Sequence, residues 1–293
     1  MADEPAAPSL AEAVEDPLPP VVRGPAWLFC PGDRPERYAK AAAVADMVVL
    51  DLEDAVGPGA KDGARSAVVA GLDALDPTGV LVRINAPGTP WHDDDLAALA
   101  ARPDVPVMLP MTARAADVVA LAPRPVVALC ETAAGVLAAP EIAAAPNCVG
   151  IMWGSEDLRA DLGGRSARTA AGGYRPALAE ARTRVLYAAR AAGVMPVDTV
   201  LVDIADLDRL RSDTADAVAD GYAAKACVHP SQVAVVREAF RPTPTEVADA
   251  QAVLAAAERH TAGVFALDGR MVDAPVLAHA REVLRQASHA PGS

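Results

Sequence analysis

Aromatic side chains are scarce: Phe, Trp and Tyr together make up 3% of the chain. The core must then be built from Ala, Val and Leu. Basic runs are absent too. The formal net charge is -13 and Lys and Arg are scattered, which argues against nucleic acid and an anionic membrane surface as partners. A small anionic substrate therefore needs local positive charge, from an arginine or a metal ion. No apolar run approaches the roughly 20 residues of a membrane span. Cysteine is rare and unspaced. Cys30, Cys130, Cys148 and Cys227 show no CxxC pattern, so buried free thiols in a reducing, cytoplasmic setting are expected. The opening stretch MADEPAAPSLAEAVEDPLPP lacks the basic and apolar regions of a signal peptide. Residues 1–22, acidic and rich in Ala and Pro, are expected to form a disordered leader.

What the chain does have is a rhythm. Eight short apolar runs follow one another from Trp27: AWLFC, MVVLDL, GVLVRI, VPVMLP, PVVALC, CVGIMW, PVDTVLV and AKACVH. Ala-rich segments with helical spacing, such as PERYAKAAAVA, lie between most of them. Strands that are apolar at nearly every position are buried on both faces, as parallel strands under helices are. Eight such repeats suit an α/β fold, a (β/α)8 TIM barrel over residues 23–240. A doubly wound open sheet shares this periodicity and is the alternative. Residues 241–293 lie beyond the eighth strand and read as a C-terminal helical extension or arm, with Thr245 as the N-cap of its first helix. The Gly-rich stretch Leu162–Pro176 is long enough to be a mobile loop over a site.

In a barrel, the first polar residues after each strand line the site. Those positions offer Asp33 and Arg34, then Asp51, Glu53 and Asp54, then Arg83 and Asn85. Later strands add Glu131 and Thr132, then Ser155, Glu156 and Asp157, and finally His229. Carboxylates gathered at one mouth stay ionised only beside a compensating cation. Hard oxygen ligands without a Cys or His cluster suit Mg2+, with Mn2+ as a substitute. Glu131 and Asp157, from adjacent strands, are the pair expected to form a half-open Mg2+ site. Each residue also has a structural reading. Asp54 and Asp157 suit helix caps, Arg83 a buried ion pair, and His229 a loop hydrogen bond. Lys225 is the candidate for an imine mechanism.

The ordered segments FCPGDRPERYAKA, VVLDLEDAV, VRINA, ALCETAAG, MWGSEDLRADLGG, CVHPSQVAVVREAF and GRMVDAPVLAHA resemble those of citrate lyase beta-subunit-like proteins of the aldolase/citrate lyase superfamily, the stand-alone actinobacterial type above all. The resemblance runs from Trp27 to about Leu284. It implies a TIM barrel and a Mg2+-dependent carbon–carbon lyase. The substrates it implies are a 2-oxo acid and an acyl-CoA thioester, citryl-CoA-like, giving oxaloacetate and acetyl-CoA. It also implies homotrimers or hexamers. Glu131 and Asp157 match the metal ligands, and Glu53 and Asp54 match acids that hold the metal's waters. Arg83 matches the arginine on the substrate oxygen. Asp273 matches the catalytic acid/base, carried by the C-terminal arm over a neighbouring subunit's barrel. Backbone N–H groups near Gly154 and Ser155 are expected to hold the substrate carboxylate. Met111 departs from the pattern, since many relatives have Lys directly after the LP of strand four, and this leaves the acyl substrate open. The alternatives are a malyl-CoA-type lyase or thioesterase, a malate-synthase-like activity, and a non-catalytic subunit of a larger lyase.

Overall fold

The computed structural model describes residues 23–260 and 263–288; the expected leader at 1–22 and the last residues of the arm lie outside them. Eight parallel strands close into a barrel in sequence order. They are β1 (Ala26–Pro31), β2 (Met47–Asp51), β3 (Val80–Arg83), β4 (Val107–Leu109), β5 (Val126–Cys130), β6 (Cys148–Trp153), β7 (Met195–Asp198) and β8 (Ala224–Cys227). All eight apolar runs supply one strand each. Closure, with β1 paired to both β2 and β8, rules out the open sheet. No helix among the described residues is long and apolar enough to cross a membrane. The four cysteines are buried and free.

The period of two along each strand decides what faces inward. Trp27, Met47, Val49, Leu81, Met108, Val127, Leu129, Met152 and Val197, with Ala224 and Ala226, join one cluster drawn from all eight strands. Counting on by two places Asp51, Arg83 and Glu131 on that same inward face, at the C-terminal ends of β2, β3 and β5. Lys225 falls between Ala224 and Ala226 of the cluster, so its side chain turns outward to the helix layer.

Strand seven is shorter than its apolar run suggests. β7 stops at Asp198, and Val202 is exposed. The Thr199 carbonyl accepts from Lys225 Nζ (2.8 Å) and does not extend the ladder. The Gly-rich loop after β6 is tied down at its centre. Arg168 and Tyr174 form a β-bridge, the Arg168 guanidinium lies 4.1 Å from the Tyr174 ring centroid and pairs with Asp213, and Tyr174 meets Trp153 edge-on at 4.9 Å.

The described residues form two compact units that divide between Arg237 and Glu238. In the C-terminal unit the helices Pro244–Arg259 and Ala274–Ser288 pack through Ala250, Ala280 and Val283. The N-cap of the first is Thr243, not Thr245. Thr243 and Glu246 close a reciprocal capping box around Pro244, and proline at the first helical position needs no N–H partner. The extension is not wholly helical either. A two-stranded hairpin, β9 (Phe265–Leu267) and β10 (Arg270–Val272), separates the helices. Its turn is Asp268–Gly269, both at positive φ (48° and 76°), the Asp-Gly turn that suits strand twist.

Candidate functional site

The centre of the barrel mouth is a buried acid, Glu131, only 3% exposed. It directly follows β5. The next residue, Thr132, caps the following helix by accepting from Gly135 N–H (3.0 Å), so Glu131 is not consumed as a cap. Its Oε1 accepts from the Met111 N–H (2.8 Å). Met111 holds φ at +52°, a left-handed backbone that a non-glycine residue adopts at a cost. On the other side stands Gly154, one residue past the Cys130–Trp153 pairing of β5 with β6. A Cβ there would lie 2.7 Å from Glu131 Oε2 and 2.8 Å from Glu131 Cβ. The glycine supplies space for the carboxylate, a need the sequence does not advertise.

Arg83 forms the second element. Asp51 and Arg83 are cross-strand partners on β2 and β3, and the Asp51 carboxylate takes Nε (2.8 Å) and Nη2 (2.7 Å) of the guanidinium. Arg83 Nη1 also lies 2.8 Å from Glu53 Oε2. That contact is an ion pair without hydrogen-bond alignment, for Glu53 Oε2 is buried with no hydrogen-bond partner. The Phe29 ring covers the guanidinium at 4.8 Å. These carboxylates hold the Arg83 charge firmly, against the cost of its burial. Behind Glu53, the Lys61 ammonium donates to the carbonyls of Leu52 and Glu53 and to Asn85 Oδ1, each at 2.7 Å, and so braces the turn after β2.

The acids act on one another. Burial pushes Glu131 up to about 8. The charges of Asp157 and Glu53 add to this, while the Met111 N–H and Arg83 oppose it. Burial likewise raises Glu53 to about 7, with Arg83 opposing and Asp54, Asp51 and Asp157 adding to the rise. Asp157 is exposed, in the first turn of helix Ser155–Asp161. Neither it nor Asp54 caps a helix. The cap position before that helix is Gly154, which has no side chain to offer. Among the described residues no three or more His, Cys, Asp or Glu side chains form a closed cage. A buried carboxylate oxygen without a hydrogen bond and two acids whose pKa values are raised by burial and by one another are nonetheless what a small hard cation would relieve. Mg2+ commonly takes one or two protein carboxylates and fills its shell with water and substrate oxygens. Glu131 and Asp157 have the chemistry for such a site, with the charge of Glu53 acting on Glu131 and that of Asp54 on Glu53.

A pH dependence follows. Carboxyls whose folded pKa is raised keep protons that the unfolded chain releases, so stability is full below about pH 4.5 and falls as pH rises toward about 8. The slope is about 1.4 kcal/mol per pH unit for each such group. The melting temperature of metal-free protein is expected to fall between pH 5 and pH 8, and added Mg2+ to restore more of it at pH 8 than at pH 5. A metal-free melting temperature that is flat across this range would refute the coupled, buried acids.

The remaining sequence candidates separate. The Gly154 N–H donates to the Cys130 carbonyl (3.3 Å) and the Ser155 N–H to Thr199 Oγ1 (3.2 Å), so both amides have partners inside the barrel. His229 is exposed and pairs with Ser231 Oγ (2.8 Å), a local loop contact. Lys225 is fully buried among the helices, bonded to Asp198 Oδ2 (2.8 Å). Asp198 also accepts from Trp153 Nε1 and Arg182 Nε. A lysine so placed is not poised for an imine. Asp273 belongs to the C-terminal unit, where its Oδ1 accepts from the Val276 N–H (3.3 Å) at the head of helix Ala274–Ser288.

Comparison with known proteins brings the same regions together. Residues 26–230 match the model of the HpcH/HpaI aldolase/citrate lyase family, and residues 187–290 match a model described as a carbon–carbon bond lyase of the TIM-barrel fold. The citrate lyase subunit beta-like protein of Mycobacterium tuberculosis is 51% identical over 267 residues, 91% of this chain and 97% of that protein. The (3S)-malyl-CoA thioesterase of Cereibacter sphaeroides is 36% identical over 273 residues, 89% of this chain and 93% of that protein. Among solved structures, Mycobacterium tuberculosis CitE in complex with magnesium, acetoacetate and coenzyme A superposes with a TM-score of 0.87 at 50% identity, covering 92% of this chain and 100% of that one.

Proposed function

The chain belongs to the HpcH/HpaI aldolase/citrate lyase family, and we propose that it is a Mg2+-dependent carbon–carbon lyase acting on a 3-hydroxyacyl-CoA thioester of the citryl-CoA type. The observation that carries this reading is the inward set Glu131, Glu53 and Arg83 at the ends of β5, β2 and β3, with Asp157 acting on it. Glu131 and Asp157 would hold Mg2+, with Glu53 and Asp54 orienting its waters. When bound, the ion supplies Lewis-acid polarisation of a substrate oxygen. The Mycobacterium relative, which binds magnesium, acetoacetate and coenzyme A together, supports both the ion and the thioester.

The protein's own residues then divide the work. Arg83, with its guanidinium already oriented by Asp51, offers its remaining N–H bonds to the oxygen on which charge develops. Ser155 N–H, which now donates to the Thr199 hydroxyl at 3.2 Å, would take the substrate carboxylate in its place. Gly154 keeps Glu131 unobstructed. In the cleavage direction the substrate hydroxyl gives its proton to a water, its oxygen becomes the oxaloacetate carbonyl, and the electron pair of the broken carbon–carbon bond leaves with the thioester as its enolate. Asp273 gives that enolate a proton to form acetyl-CoA. In the reverse direction it removes a methyl proton from acetyl-CoA. We place Asp273 over the barrel of a neighbouring copy in a homotrimer or hexamer, acting in the cytoplasm, where four free thiols stay reduced.

A malyl-CoA-type activity is the second reading, favoured by the thioesterase relative and by the uncharged, 43% exposed Met111 at the mouth. Purified protein with Mg2+ should cleave citryl-CoA to oxaloacetate and acetyl-CoA. Cleavage or hydrolysis of malyl-CoA alone moves the second reading ahead. No turnover of either thioester, with intact Mg2+ binding, points to a subunit that needs partners.

A further inference from the structure

We propose that Asp51 is a positioning residue for this reaction, fixing the direction of Arg83 and the location of Glu53 with a single carboxylate. The inference rests on the function proposed above. Asp51 is 1% exposed and all of its acceptor capacity is taken. Oδ1 accepts from Arg83 Nε (2.8 Å) and from the Glu53 N–H (2.9 Å). Oδ2 accepts from Arg83 Nη2 (2.7 Å) and from the Ala55 N–H (3.1 Å). A carboxylate offers about four lone-pair sites, so none remains for a metal ion or a substrate. Asp51 is thereby excluded as a ligand, although it sits among the ligands.

What it does instead follows from where its partners lead. Two of the four bonds go to the guanidinium, in the planar fork that orients it rigidly. Two go to the backbone of the turn carrying Glu53 and Asp54. The turn then returns to the arginine, since Glu53 Oε2 lies 2.8 Å from Arg83 Nη1. The triangle Asp51–Arg83–Glu53 is closed, and displacing Asp51 releases the guanidinium and removes one of the two supports of the Glu53 turn. The turn at Glu53 has a second brace in Lys61, on the Leu52 and Glu53 carbonyls, whereas the Arg83 guanidinium makes its side-chain hydrogen bonds to Asp51. Arg83 is otherwise touched by the Phe29 ring at 4.8 Å, which fixes its plane but not its rotation. Misplacing a reacting contact by about 1 Å costs about 100-fold in rate.

Asp51→Asn puts an NH2 group where one of the present acceptors stands, facing either the guanidinium or a backbone N–H. Asp51→Glu keeps the charge and shifts the fork by a methylene. Both are to be compared with wild type for thioester turnover, for Mg2+ binding by calorimetry, and for the Arg83 Nε–H resonance in 15N spectra. Turnover is expected to fall by about 100-fold in Asp51→Asn, through kcat, with Mg2+ affinity nearly unchanged and the Arg83 Nε–H losing its protection from solvent exchange. Adding Asp51→Asn to Arg83→Lys should cost little beyond Arg83→Lys alone, because lysine cannot be forked. Full additivity of the two substitutions would overturn the proposal, as would wild-type kcat in either Asp51 variant. If Asp51→Asn does not fold, Asp51→Glu carries the comparison. A wild-type protein without turnover would instead sink the proposed function, and the clamp would then be judged by the Arg83 resonance, an unprotected wild-type Nε–H counting against it.

Discussion

Asp273→Asn is expected to lower turnover by about 10²–10⁴-fold, the usual contribution of a positioned acid or base, while Mg2+ binds as before. The substitution is clean for a structural reason. Asp273 heads helix Ala274–Ser288 and its Oδ1 accepts from the Val276 N–H. Asparagine caps a helix as well as aspartate does, so the helix keeps its start and only the ionisable oxygen is lost. The variant should melt with the wild type, bind Mg2+ with the same calorimetric signature, and fail in proton transfer. Mixing it with a variant defective at Glu131 tests the placement between copies. If the acid of one copy serves the barrel of another, mixed oligomers regain part of the activity that neither variant has alone. Loss of Mg2+ binding in Asp273→Asn, or unchanged turnover, would remove Asp273 from its role.

Glu131→Gln is expected to do the reverse. Glutamine keeps the volume and can still accept the Met111 N–H, so the pocket between Met111 and Gly154 stays filled. The charge is gone. Mg2+ affinity should fall by at least about 100-fold, the upper end of what outer-shell partners of a metal cost. Binding of oxaloacetate or glyoxylate, measured by calorimetry with and without Mg2+, should disappear with it. The same change removes the most strongly raised carboxyl, so the fall in stability of metal-free protein between pH 5 and pH 8 should become shallower. A variant that binds Mg2+ normally would make Glu131 a buried structural acid and return the search to Glu53 and Asp157.

Most of the barrel was legible because parallel strands, buried on both faces, leave unbroken apolar runs. The runs identified every barrel strand. They misled at β7, where the apolar letters continue through Val202 but Lys225 draws the Thr199 carbonyl out of the ladder. The hairpin in the C-terminal unit carries its own signal, Asp268–Gly269, between strongly helical neighbours. At the site, chemistry was easier to see than position. Glu131 and Arg83 stood out as charges on apolar strands. Asp51 was visible as a letter, but two of its four donors come from Arg83 and depend on the β2–β3 register. The steric need for Gly154 depends on the β5–β6 register. Lys225 could have been set aside from the sequence alone, because alternation between Ala224 and Ala226 turns it away from the barrel interior. The backbone of Met111 had no signal at all, since nothing in the letters LPMTAR demands a left-handed residue.

That Met111 backbone separates two traits that usually change together. The bond to Glu131 comes from a main-chain N–H, made available by φ of +52°, and its left-handed cost, about 1–2 kcal/mol, is met when the chain folds. If Glu131 holds Mg2+ as proposed, the ion would meet a carboxylate already oriented. The side chain at 111, meanwhile, is exposed and takes no part in that bond. A substitution at 111 that tolerates the left-handed backbone is therefore expected to change the surface of the mouth and leave the bond to Glu131 in place. The position thus has two separable parts: its main chain is committed to Glu131, and its side chain faces solvent.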